Sequence, residues 1–324
     1  MPQFTLDLAE ATALRASLRH WLIETPVLRC PALEAVTGAP VHAKLEFLQR
    51  TSTFKPRGAL AVMLQLDEKQ RSAGVTAVSA GNHAIATAFA ARELGVSAKV
   101  VMLETSSPVR IARCRGYGAE VVLAADAHSA FAQVEQIVLE EERFMVHPFE
   151  GPRTSLGTAT LGMEICEQVE DFDAVIVPIG GGGLCSGIAA AVKQLRPQAM
   201  VYGVEPEGAD TMHRSFACGS PQSIDRVRTI ADSLGAPFAL PYSYALCSAY
   251  VDELISVSDD DLRFAMRFLF TEMRIAVEAA CAASTAALLG PLGKQLRGRP
   301  VVVLMCGSNI DWRMYQGHAQ LETS

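Results

Sequence analysis

Short apolar runs alternate with helix-like stretches along most of this chain, and this alternation limits its fold more than any other feature. The runs are apolar on both faces, which is typical of strands in a parallel sheet that helices cover on each side. Helical patterns lie between them, among them NHAIATAFAARELG at 82–95 and GTATLGMEICEQVE at 157–170. The alternation predicts right-handed βαβ units and an α/β fold. The predicted strands are VTAVSA (75–80), AKVVML (98–103), AEVVLA (119–124), DAVIVPIG (173–180), MVYGVEP (200–206) and RPVVVLMCG (299–307).

The order of these segments predicts two domains, one inserted in the other. Consecutive βα units predict a small domain at residues 72–150, and residues 1–71 and 151–324 then form a large domain. The N-terminal stretch MPQFTLDLAEATALRASLRH predicts an amphipathic helix. No change of composition marks a linker, and no internal repeat is present.

Charge and composition exclude several classes of partner. The net charge is −7 over 324 residues, so no basic field attracts nucleic acid or an anionic membrane. No apolar segment reaches the ~20 residues that a membrane span needs, and the N-terminus lacks the pattern of a signal peptide. The eight cysteines form no C-x-x-C pair. We therefore expect a cytoplasmic protein with buried, reduced thiols.

The loop IGGGGLCSG (179–187) places four glycines between a predicted strand and a helix. Backbone N–H groups without a Cβ can converge on an anion there, and the helix dipole adds favourable charge. The dinucleotide pattern is met only weakly, because Cys185 stands where its third glycine belongs, and the Walker pattern lacks its lysine. A small phosphate monoester is the better ligand, and a flexible turn is the alternative.

Two further loops follow predicted strands, and ligands of open α/β sheets bind at the carboxyl ends of strands. SAGNHA (79–84) could receive a carboxylate at a helix N-terminus, or its Asn82 and His83 could simply cap that helix. CGSNID (306–311) begins with Cys306, which taken alone is a buried apolar cysteine. With Lys55 in TSTFKPRGAL (51–60), these loops suggest pyridoxal phosphate, whose aldehyde forms a Schiff base with lysine.

The stretch TSTFKPRGA resembles the S-F-K-x-R-G-A lysine motif of the fold type II pyridoxal-phosphate enzymes, in particular the threonine/serine dehydratase and serine racemase branch. SAGNHA, VPIGGGGLCSG, GVEPEGAD and CGSNID follow in that family's order, so the resemblance runs from Pro26 to Asp311. It implies a tryptophan synthase β-like fold with two open, twisted, mainly parallel sheets and flanking helices. It also implies an active site between the two domains and a homodimer.

The resemblance implies roles for the residues at matching positions. Lys55 would bind the cofactor aldehyde and act as the catalytic base. The other cofactor-binding residues would be Phe54 beside the cofactor, Asn82 at the ring hydroxyl, Gly180, Gly181, Gly182, Gly183 and Leu184 at the phosphate, Glu278 near the ring and Cys306 at the pyridine nitrogen. The substrate carboxylate would be surrounded by Ser79, Gly81, Asn82 and His83.

Three positions depart from the family pattern. Cys306 replaces the usual serine, and because a thiol is also a neutral, weak donor, the pyridine nitrogen should stay unprotonated, which favours elimination. Ala80 stands where the racemases have the serine that serves as a second base. Glu205 and Ala209 match ligands of a divalent cation in some relatives, but Thr211 replaces the aspartate. Binding of Mg²⁺ at this position should therefore be weak, replaced by binding of a monovalent cation, or absent.

Together these inferences predict a pyridoxal-phosphate-dependent L-threonine/L-serine ammonia-lyase. It would convert a small-molecule β-hydroxy L-amino acid to the 2-oxo acid and ammonia by β-elimination. The main alternative is a sibling enzyme for threo-3-hydroxyaspartate or for an intermediate of hydroxyectoine breakdown, and TIADSLGAP (229–237) is expected to shape the substrate pocket. Ala80 argues against a racemase, and the intact lysine and glycine loop argue against a non-catalytic binding protein.

Ala80 predicts dehydration without racemisation, because alanine offers no proton on the face of the substrate α-carbon opposite Lys55. Chiral chromatography of the substrate that is left after partial turnover measures this. Only the L-enantiomer should remain with the wild type, and Ala80→Ser should introduce detectable D-enantiomer. Accumulation of the D-enantiomer by the wild type as fast as ammonia is released would contradict the prediction.

Overall fold

A computed structural model describes residues 4–319 of the chain. The α-helices in these residues are α1 (Leu8–Leu18), α2 (Pro31–Thr37), α3 (Pro56–Met63), α4 (Glu68–Ala73), α5 (Asn82–Leu94), α6 (Pro108–Gly116), α7 (Ala127–Glu141), α8 (Pro152–Gln168), α9 (Gly183–Leu195), α10 (Thr211–Cys218), α11 (Pro241–Tyr250), α12 (Asp259–Met273), α13 (Ala279–Leu289), α14 (Leu292–Gln295) and α15 (Trp312–Ala319). The strands are β1 (Val27–Arg29), β2 (Val41–Leu45), β3 (Val75–Val78), β4 (Ala98–Leu103), β5 (Glu120–Ala124), β6 (Phe144–Met145), β7 (Ala174–Pro178), β8 (Met200–Pro206), β9 (Glu253–Val257) and β10 (Val301–Met305). Short 3₁₀ helices cover Glu46–Leu48, Glu207–Ala209 and Asp232–Leu234.

The strands form two sheets. The larger has the order β1-β2-β10-β7-β8-β9, and every neighbouring pair in it is parallel except β1 with β2. The smaller has the order β5-β4-β3-β6 and is parallel throughout. The predicted fold class, two mainly parallel sheets with flanking helices, is confirmed.

Each of the predicted apolar runs contains an observed strand, namely β3, β4, β5, β7, β8 or β10. β7 and β10 are buried along their whole length, as expected for central strands of a covered parallel sheet. β1, β2, β6 and β9 were not predicted from the sequence. β2 reads VHAKL, in which a lysine interrupts the apolar run, and β1 and β6 contain only 3 and 2 residues.

Local chemistry sets several helix ends. Asp7 accepts a hydrogen bond from the amide of Ala9 and so caps α1, which lies inside the predicted N-terminal helix. Residues 1–3 of that prediction lie outside the described residues. α5 ends as predicted at Gly95, whose φ of +67° lies in the left-handed region that glycine adopts at little cost. α8 begins at Pro152, before the predicted start at residue 157, because proline suits the first helical position.

The core of the smaller sheet also draws on helices from outside its own segment. Leu14 of α1 and Leu60 of α3 pack with Ile85 of α5 in one apolar cluster, and α8 joins that cluster through Leu156. The strands of this sheet lie within residues 75–145, inside the small domain predicted at 72–150, and that division stays a prediction. Among residues 4–319, no helix combines the length and apolar character that crossing a membrane requires.

Four charged side chains are buried together where α3 meets β2 and α8. Lys44 and Arg57 supply the positive charges, Glu46 and Glu164 supply the negative ones, and none of the four side chains is more than 5% exposed. Arg57 Nε lies 2.7 Å from Glu46 Oε1, and Arg57 Nη1 lies 2.7 Å from Glu164 Oε1. Lys44 Nζ donates to Glu164 Oε2 at 2.7 Å and to the carbonyl oxygen of Thr25 at 2.6 Å. We call these four side chains the buried charge cluster.

The buried charge cluster is stable as a unit because its charges balance. Burial alone would lower the pKa of Arg57, but the charges of Glu46 and Glu164 outweigh this effect and raise the pKa. Burial would raise the pKa of Glu164, whereas Arg57 and Lys44 lower it. Arg57 and Glu164 therefore stay ionised, and removal of either one leaves an uncompensated charge in the core.

Arg57→Met should lower the free energy of unfolding by about 3–5 kcal/mol, because it leaves the two buried glutamates with only Lys44. Urea-induced unfolding followed by circular dichroism measures the change. The matched control is Lys69→Ala, which removes an ion pair between the exposed side chains of Lys69 and Glu142 and should cost less than about 1 kcal/mol. Equal losses in the two variants would show that the cluster contributes no more than a surface ion pair.

Candidate active site

The loops after β2, β10 and β7 meet at one edge of the larger sheet, because these strands are parallel neighbours. The loop after β2 pairs directly with the loop after β10. The amide of Phe54 donates to the carbonyl oxygen of Cys306 at 3.1 Å. The amide of Ser308 donates to the carbonyl oxygen of Ser52 at 2.9 Å. This pairing fixes the backbone that carries Lys55.

Lys55 points into a small cavity. Its Nζ donates to the carbonyl oxygen of Pro148 at 2.6 Å and lies 5.1 Å from the centre of the Phe54 ring. Burial lowers the pKa of Lys55 to about 8, although Cys306 and Glu278 oppose this change. Part of Lys55 is therefore the free amine near neutral pH, which is the form that attacks an aldehyde or accepts a proton. The residues that line the cavity are Phe54, Lys55, Gly58, Ala59, His83, His147, Pro148, Thr154 and Thr158.

Two neutral imidazoles also line this cavity. His83 Nε2 lies 2.7 Å from the carbonyl oxygen of Val146, so this nitrogen carries the proton and donates it. His147 Nδ1 accepts hydrogen bonds from the amides of Phe149 and Glu150 at 3.3 and 2.9 Å, so its proton lies on Nε2. Burial lowers the pKa of His83 to about 3 and that of His147 to about 4. The sequence analysis missed His147, because the short strand β6 before it gives no clear pattern.

The glycines after β7 form a turn that leads into α9, and Gly181, Gly182 and Gly183 are buried in it. Gly182 has a φ of +92°. A Cβ on Gly181 would lie 2.3 Å from the ring of Phe149, and one on Gly183 would lie 2.5 Å from the Phe149 carbonyl oxygen. Only glycine fits at these positions. The loop is therefore a buried helix start with free amides, as a phosphate site requires, and not a flexible surface turn.

The loop after β3 brings Asn82 and His83 to the start of α5. The N-cap position belongs to Gly81, and no side chain caps this helix, so the capping interpretation of Asn82 and His83 is wrong. Ser79 Oγ accepts a hydrogen bond from the amide of Gly81 at 3.1 Å. Because the ring of His83 is bonded to Val146, only its amide at the helix N-terminus is available for the predicted substrate carboxylate.

Asn82 and Glu278 form a buried pair. Asn82 Nδ2 donates to Glu278 Oε1 at 2.7 Å and to Ser233 Oγ at 3.0 Å. Asn82 Oδ1 accepts from Asn309 Nδ2 at 2.8 Å. Burial raises the pKa of Glu278 to about 7, against the opposing charge of Arg110. Glu278 Oε2 is buried and has no hydrogen-bond partner within residues 4–319, and such an atom is costly unless a polar ligand meets it.

Cys306 follows β10 and is buried, with its Sγ 3.9 Å from the carbonyl oxygen of Ala280. Its contact with Cys281 and its burial raise the pKa of Cys306 well above the ordinary value. The side chain is therefore a neutral thiol, and it lies near Lys55. Its contact with a pyridine nitrogen stays a prediction.

The predicted cation position gains no support from the structure. Glu205 Oε1 accepts from the amide of Met212, and Oε2 accepts from the amide of His213, each at 2.8 Å. His213 Nδ1 also lies 2.6 Å from Glu205 Oε2. Glu205 thus anchors the start of α10, and Ala209 lies in the short helix before it. Over the described part of the chain, no three His, Cys, Asp or Glu side chains cluster as metal ligands.

An aromatic cluster next to the glycine loop also escaped the sequence analysis. It consists of Phe131, Phe149 and Phe238, whose ring centres lie 6.0 Å apart for Phe149 and Phe238 and 6.2 Å apart for Phe131 and Phe238. The segment TIADSLGAP, which the sequence analysis expected at the substrate pocket, ends just before Phe238 and touches the glycine loop where Leu234 meets Gly180. The three phenylalanines are far apart in the chain, so no local pattern connects them.

The assembled residues fit pyridoxal phosphate in their chemistry. The free amides at the start of α9 suit a phosphate, and the half-buried amine of Lys55 suits an aldehyde. Glu278 Oε2, which makes no hydrogen bond within residues 4–319, suits the polar edge of a ring.

Comparisons with known proteins agree with this chemistry. The family model "Pyridoxal-phosphate dependent enzyme" matches residues 18–307, and the chain therefore belongs to this family. It is 55% identical over 315 residues to the phenylserine dehydratase of Ralstonia pickettii, with 97% of each chain covered. It is 34% identical to the L-threonine ammonia-lyase of Thermotoga maritima, covering 95% of this chain and 76% of that protein.

Solved structures of related enzymes have a similar fold. Maize serine racemase has a TM-score of 0.92 at 30% identity and covers 97% of each chain. Threonine deaminase isoform 2 of Solanum lycopersicum has a TM-score of 0.92 at 29% identity, covering 98% of this chain and 94% of that one. The predicted branch of dehydratases and serine racemases is confirmed. The chain is an enzyme of a pyridoxal-phosphate-dependent lyase family, and the family implies pyridoxal 5′-phosphate as cofactor.

Lys55→Ala should abolish turnover and the visible absorbance of covalently attached cofactor, because it removes the amine that attacks the aldehyde and leaves the surrounding packing in place. Ammonia release, the absorbance spectrum and the melting temperature measure the three effects. The matched control is Lys294→Ala, which removes an exposed lysine of α14 and should change none of them. A Lys55→Ala variant that keeps near-wild-type activity would overturn the assignment.

Proposed function

We propose that this protein is a pyridoxal-phosphate-dependent ammonia-lyase whose substrate is a β-hydroxy L-amino acid with an aromatic group on its β-carbon. The reaction removes water from the substrate, and hydrolysis of the resulting unsaturated amine yields a 2-oxo acid and ammonia. The observation that carries the aromatic preference is the aromatic cluster beside the glycine loop. The 55% identity to phenylserine dehydratase of Ralstonia pickettii supports it.

Lys55 supplies the base in this proposal. Its pKa of about 8 leaves part of it as the free amine near neutral pH, and the proton of the substrate α-carbon is transferred to Lys55 Nζ. The carbonyl oxygen of Pro148, 2.6 Å from Nζ, can accept a hydrogen bond from the ammonium that forms. The bond between the β-carbon and its oxygen then breaks, and the hydroxyl leaves as water with a proton returned by the Lys55 ammonium. The neighbouring imidazoles of His83 and His147, with pKa values of about 3 and about 4, are much weaker bases than Lys55 and do not compete for the proton.

Pyridoxal phosphate, when bound, supplies an aldehyde that links to amines and a conjugated ring that makes the α-proton acidic. The residues that would hold it are Lys55, Phe54, Asn82, Gly180, Gly181, Gly182, Gly183, Leu184, Glu278 and Cys306. The amides around Gly81 at the start of α5 would hold the substrate carboxylate.

The aromatic cluster gathers rings from three segments beside the site. Phe131 belongs to α7, Phe149 follows β6, and Phe238 follows the 229–237 segment. Phe149 contacts Gly181 and Gly183, so the cluster reaches the loop that would hold the phosphate. Tilted contacts between aromatic rings contribute about 0.5–1.5 kcal/mol each beyond the burial of their area. A phenyl group on the substrate can make such contacts, whereas the methyl group of threonine cannot.

The same surroundings disfavour a second carboxylate on the substrate, such as that of threo-3-hydroxyaspartate. A carboxylate that leaves water needs a cation that is not already neutralised. Arg110, near the site, is already paired with Asp232 and lies 3.7 Å from Glu278. An uncharged aromatic substituent meets no such cost.

A substrate panel tests the proposal. The purified holoenzyme is assayed with L-phenylserine, L-threonine, L-serine and L-threo-3-hydroxyaspartate, and ammonia and the 2-oxo acid are measured. The value of kcat/KM for phenylserine should exceed that for threonine by about 10-fold to 200-fold, the range that hydrophobic pockets achieve. Equal or greater kcat/KM for threonine or serine would contradict the aromatic preference, and no ammonia from any of the four would contradict the reaction type.

Variants of the aromatic cluster test its role directly. Phe131→Ala and Phe238→Ala should lower kcat/KM for phenylserine by about 10-fold or more, and should change that for threonine less than about 3-fold, because only the larger substrate loses a contact. The matched control is Phe264→Ala, which removes a phenylalanine that is 52% exposed on α12. Parallel losses for both substrates in the cluster variants would mean that the cluster supports the fold and does not select the substrate.

A further inference from the structure

Arg110 of α6 is a buried arginine that the sequence analysis did not single out and that the proposed reaction does not use. Its side chain is 5% exposed. Its Nε donates to the carbonyl oxygen of Asn309 at 2.9 Å, and its guanidinium is paired with the carboxylate of Asp232. Its Nη2 also lies 3.7 Å from Glu278 Oε2. One side chain thus bridges three segments that are distant in the chain.

The segments that Arg110 contacts are those that hold the side chain of Asn82. Asn82 is bonded to Ser233, Glu278 and Asn309. Arg110 contacts Glu278 and Asn309 directly, and it contacts Ser233 through the residue before it. Arg110 therefore contacts every hydrogen-bond partner of the Asn82 side chain in residues 4–319, either directly or, for Ser233, through the neighbouring Asp232.

The backbone beside Asn82 is shaped for this guanidinium. Gly81 precedes Asn82, and a Cβ on Gly81 would lie 2.8 Å from Arg110 Cδ and 2.9 Å from Arg110 Nη1. A side chain at residue 81 would displace the arginine, because real Cβ contacts are essentially never this short. The absence of a side chain at Gly81 therefore leaves the space that the Arg110 side chain occupies.

We propose that Arg110 is a positioning residue that holds the Asn82–Glu278 pair in place for the bound cofactor and balances the charge of Glu278. This inference goes beyond the proposed function, because it concerns the cofactor side of the site and holds for any β-hydroxy substrate. It rests on the proposed function only for its activity measurement.

The charged and titratable groups that face Glu278 come from four segments. They are Arg110 on α6, Asp232 in the 229–237 segment, Lys55 before α3 and Cys306 after β10. Burial raises the pKa of Glu278 to about 7, Arg110 lowers it, and Asp232 raises it. Removal of Arg110 should therefore raise this pKa further, and removal of Asp232 should lower it.

The two changes have opposite effects on how stability depends on pH. Between 4.5, the ordinary pKa of a glutamate, and about 7, the folded protein binds more protons at Glu278 than the unfolded chain does. Stability therefore falls as pH rises through this interval and levels off above it. In Arg110→Gln the stability should continue to fall until a pH about one unit or more above that of the wild type, because an opposite charge near Glu278 has been lost. In Asp232→Asn the fall should end at a lower pH.

The experiment measures the melting temperature of the holoenzyme from about pH 5 to about pH 9, the interval that contains both pKa values. The variants are Arg110→Gln, Arg110→Lys and Asp232→Asn. The matched control is Arg113→Gln, because Arg113 lies on the same helix and donates to Asn309 Oδ1 but is paired with neither carboxylate. The difference in melting temperature between wild type and Arg110→Gln should widen above neutral pH. The corresponding difference for Arg113→Gln should be the same at every pH.

A second measurement separates positioning from a general loss of structure. Arg110→Gln should lower kcat for β-elimination by about 10-fold to 100-fold with a smaller change in KM, and Arg110→Lys should recover part of it. In Arg110→Gln/Glu278→Gln the extra dependence of melting temperature on pH should disappear. If Arg110→Gln does not fold, the opposite shift in Asp232→Asn tests the inference alone.

Two results would overturn the inference. One is a difference in melting temperature between wild type and Arg110→Gln that stays constant across the whole pH range, as expected for Arg113→Gln. The other is that the pH at which stability stops falling shifts in the same direction in Arg110→Gln and Asp232→Asn. Either result would leave the proposed function intact if the wild type releases ammonia from β-hydroxy amino acids. A wild type without that activity would contradict the proposed function and leave the melting measurements valid.

Discussion

The ion pairs of Arg57 with Glu46 and Glu164 are the interaction on which the rest of the structure depends. Taking these charges out of water is costly, and only their close and balanced arrangement with Lys44 offsets that cost. The cluster joins the end of β2, the start of α3 and the middle of α8. Its ion pairs therefore fix the arrangement of these three elements relative to one another. Arg57 stands two residues after Lys55 in the chain, and the same constraint therefore fixes where the reactive amine can lie.

The site follows from this constraint and from the order of the strands. Because β2, β10 and β7 are parallel neighbours, their loops open at one edge of the sheet. The Lys55 loop is also paired with the loop of Cys306, so the lysine cannot swing away with its backbone. Burial then lowers the pKa of Lys55 and raises that of Glu278. An amine and a carboxyl group that titrate near neutral pH are thus produced by the fold.

The sequence predicted what local patterns encode. The six long apolar runs contain observed strands, and the loops with Asn82, the glycines and Cys306 follow three of them, as predicted. β2 was missed because Lys44 looks like a surface residue until its partner Glu164, 120 positions away, is known. Arg110 and Asp232 are 122 positions apart, and no periodicity connects them. The two neutral histidines likewise depend on backbone contacts that only the folded chain supplies.

The most direct test of the account locates the cofactor on the chain. The purified holoenzyme is treated with borohydride, which reduces the bond between lysine and the cofactor aldehyde to a stable amine, and the digested protein is mapped by mass spectrometry. The account predicts one phosphopyridoxyl group, on the peptide that contains Lys55. A group on any other lysine, or a holoenzyme whose reduced cofactor stays free, would contradict it.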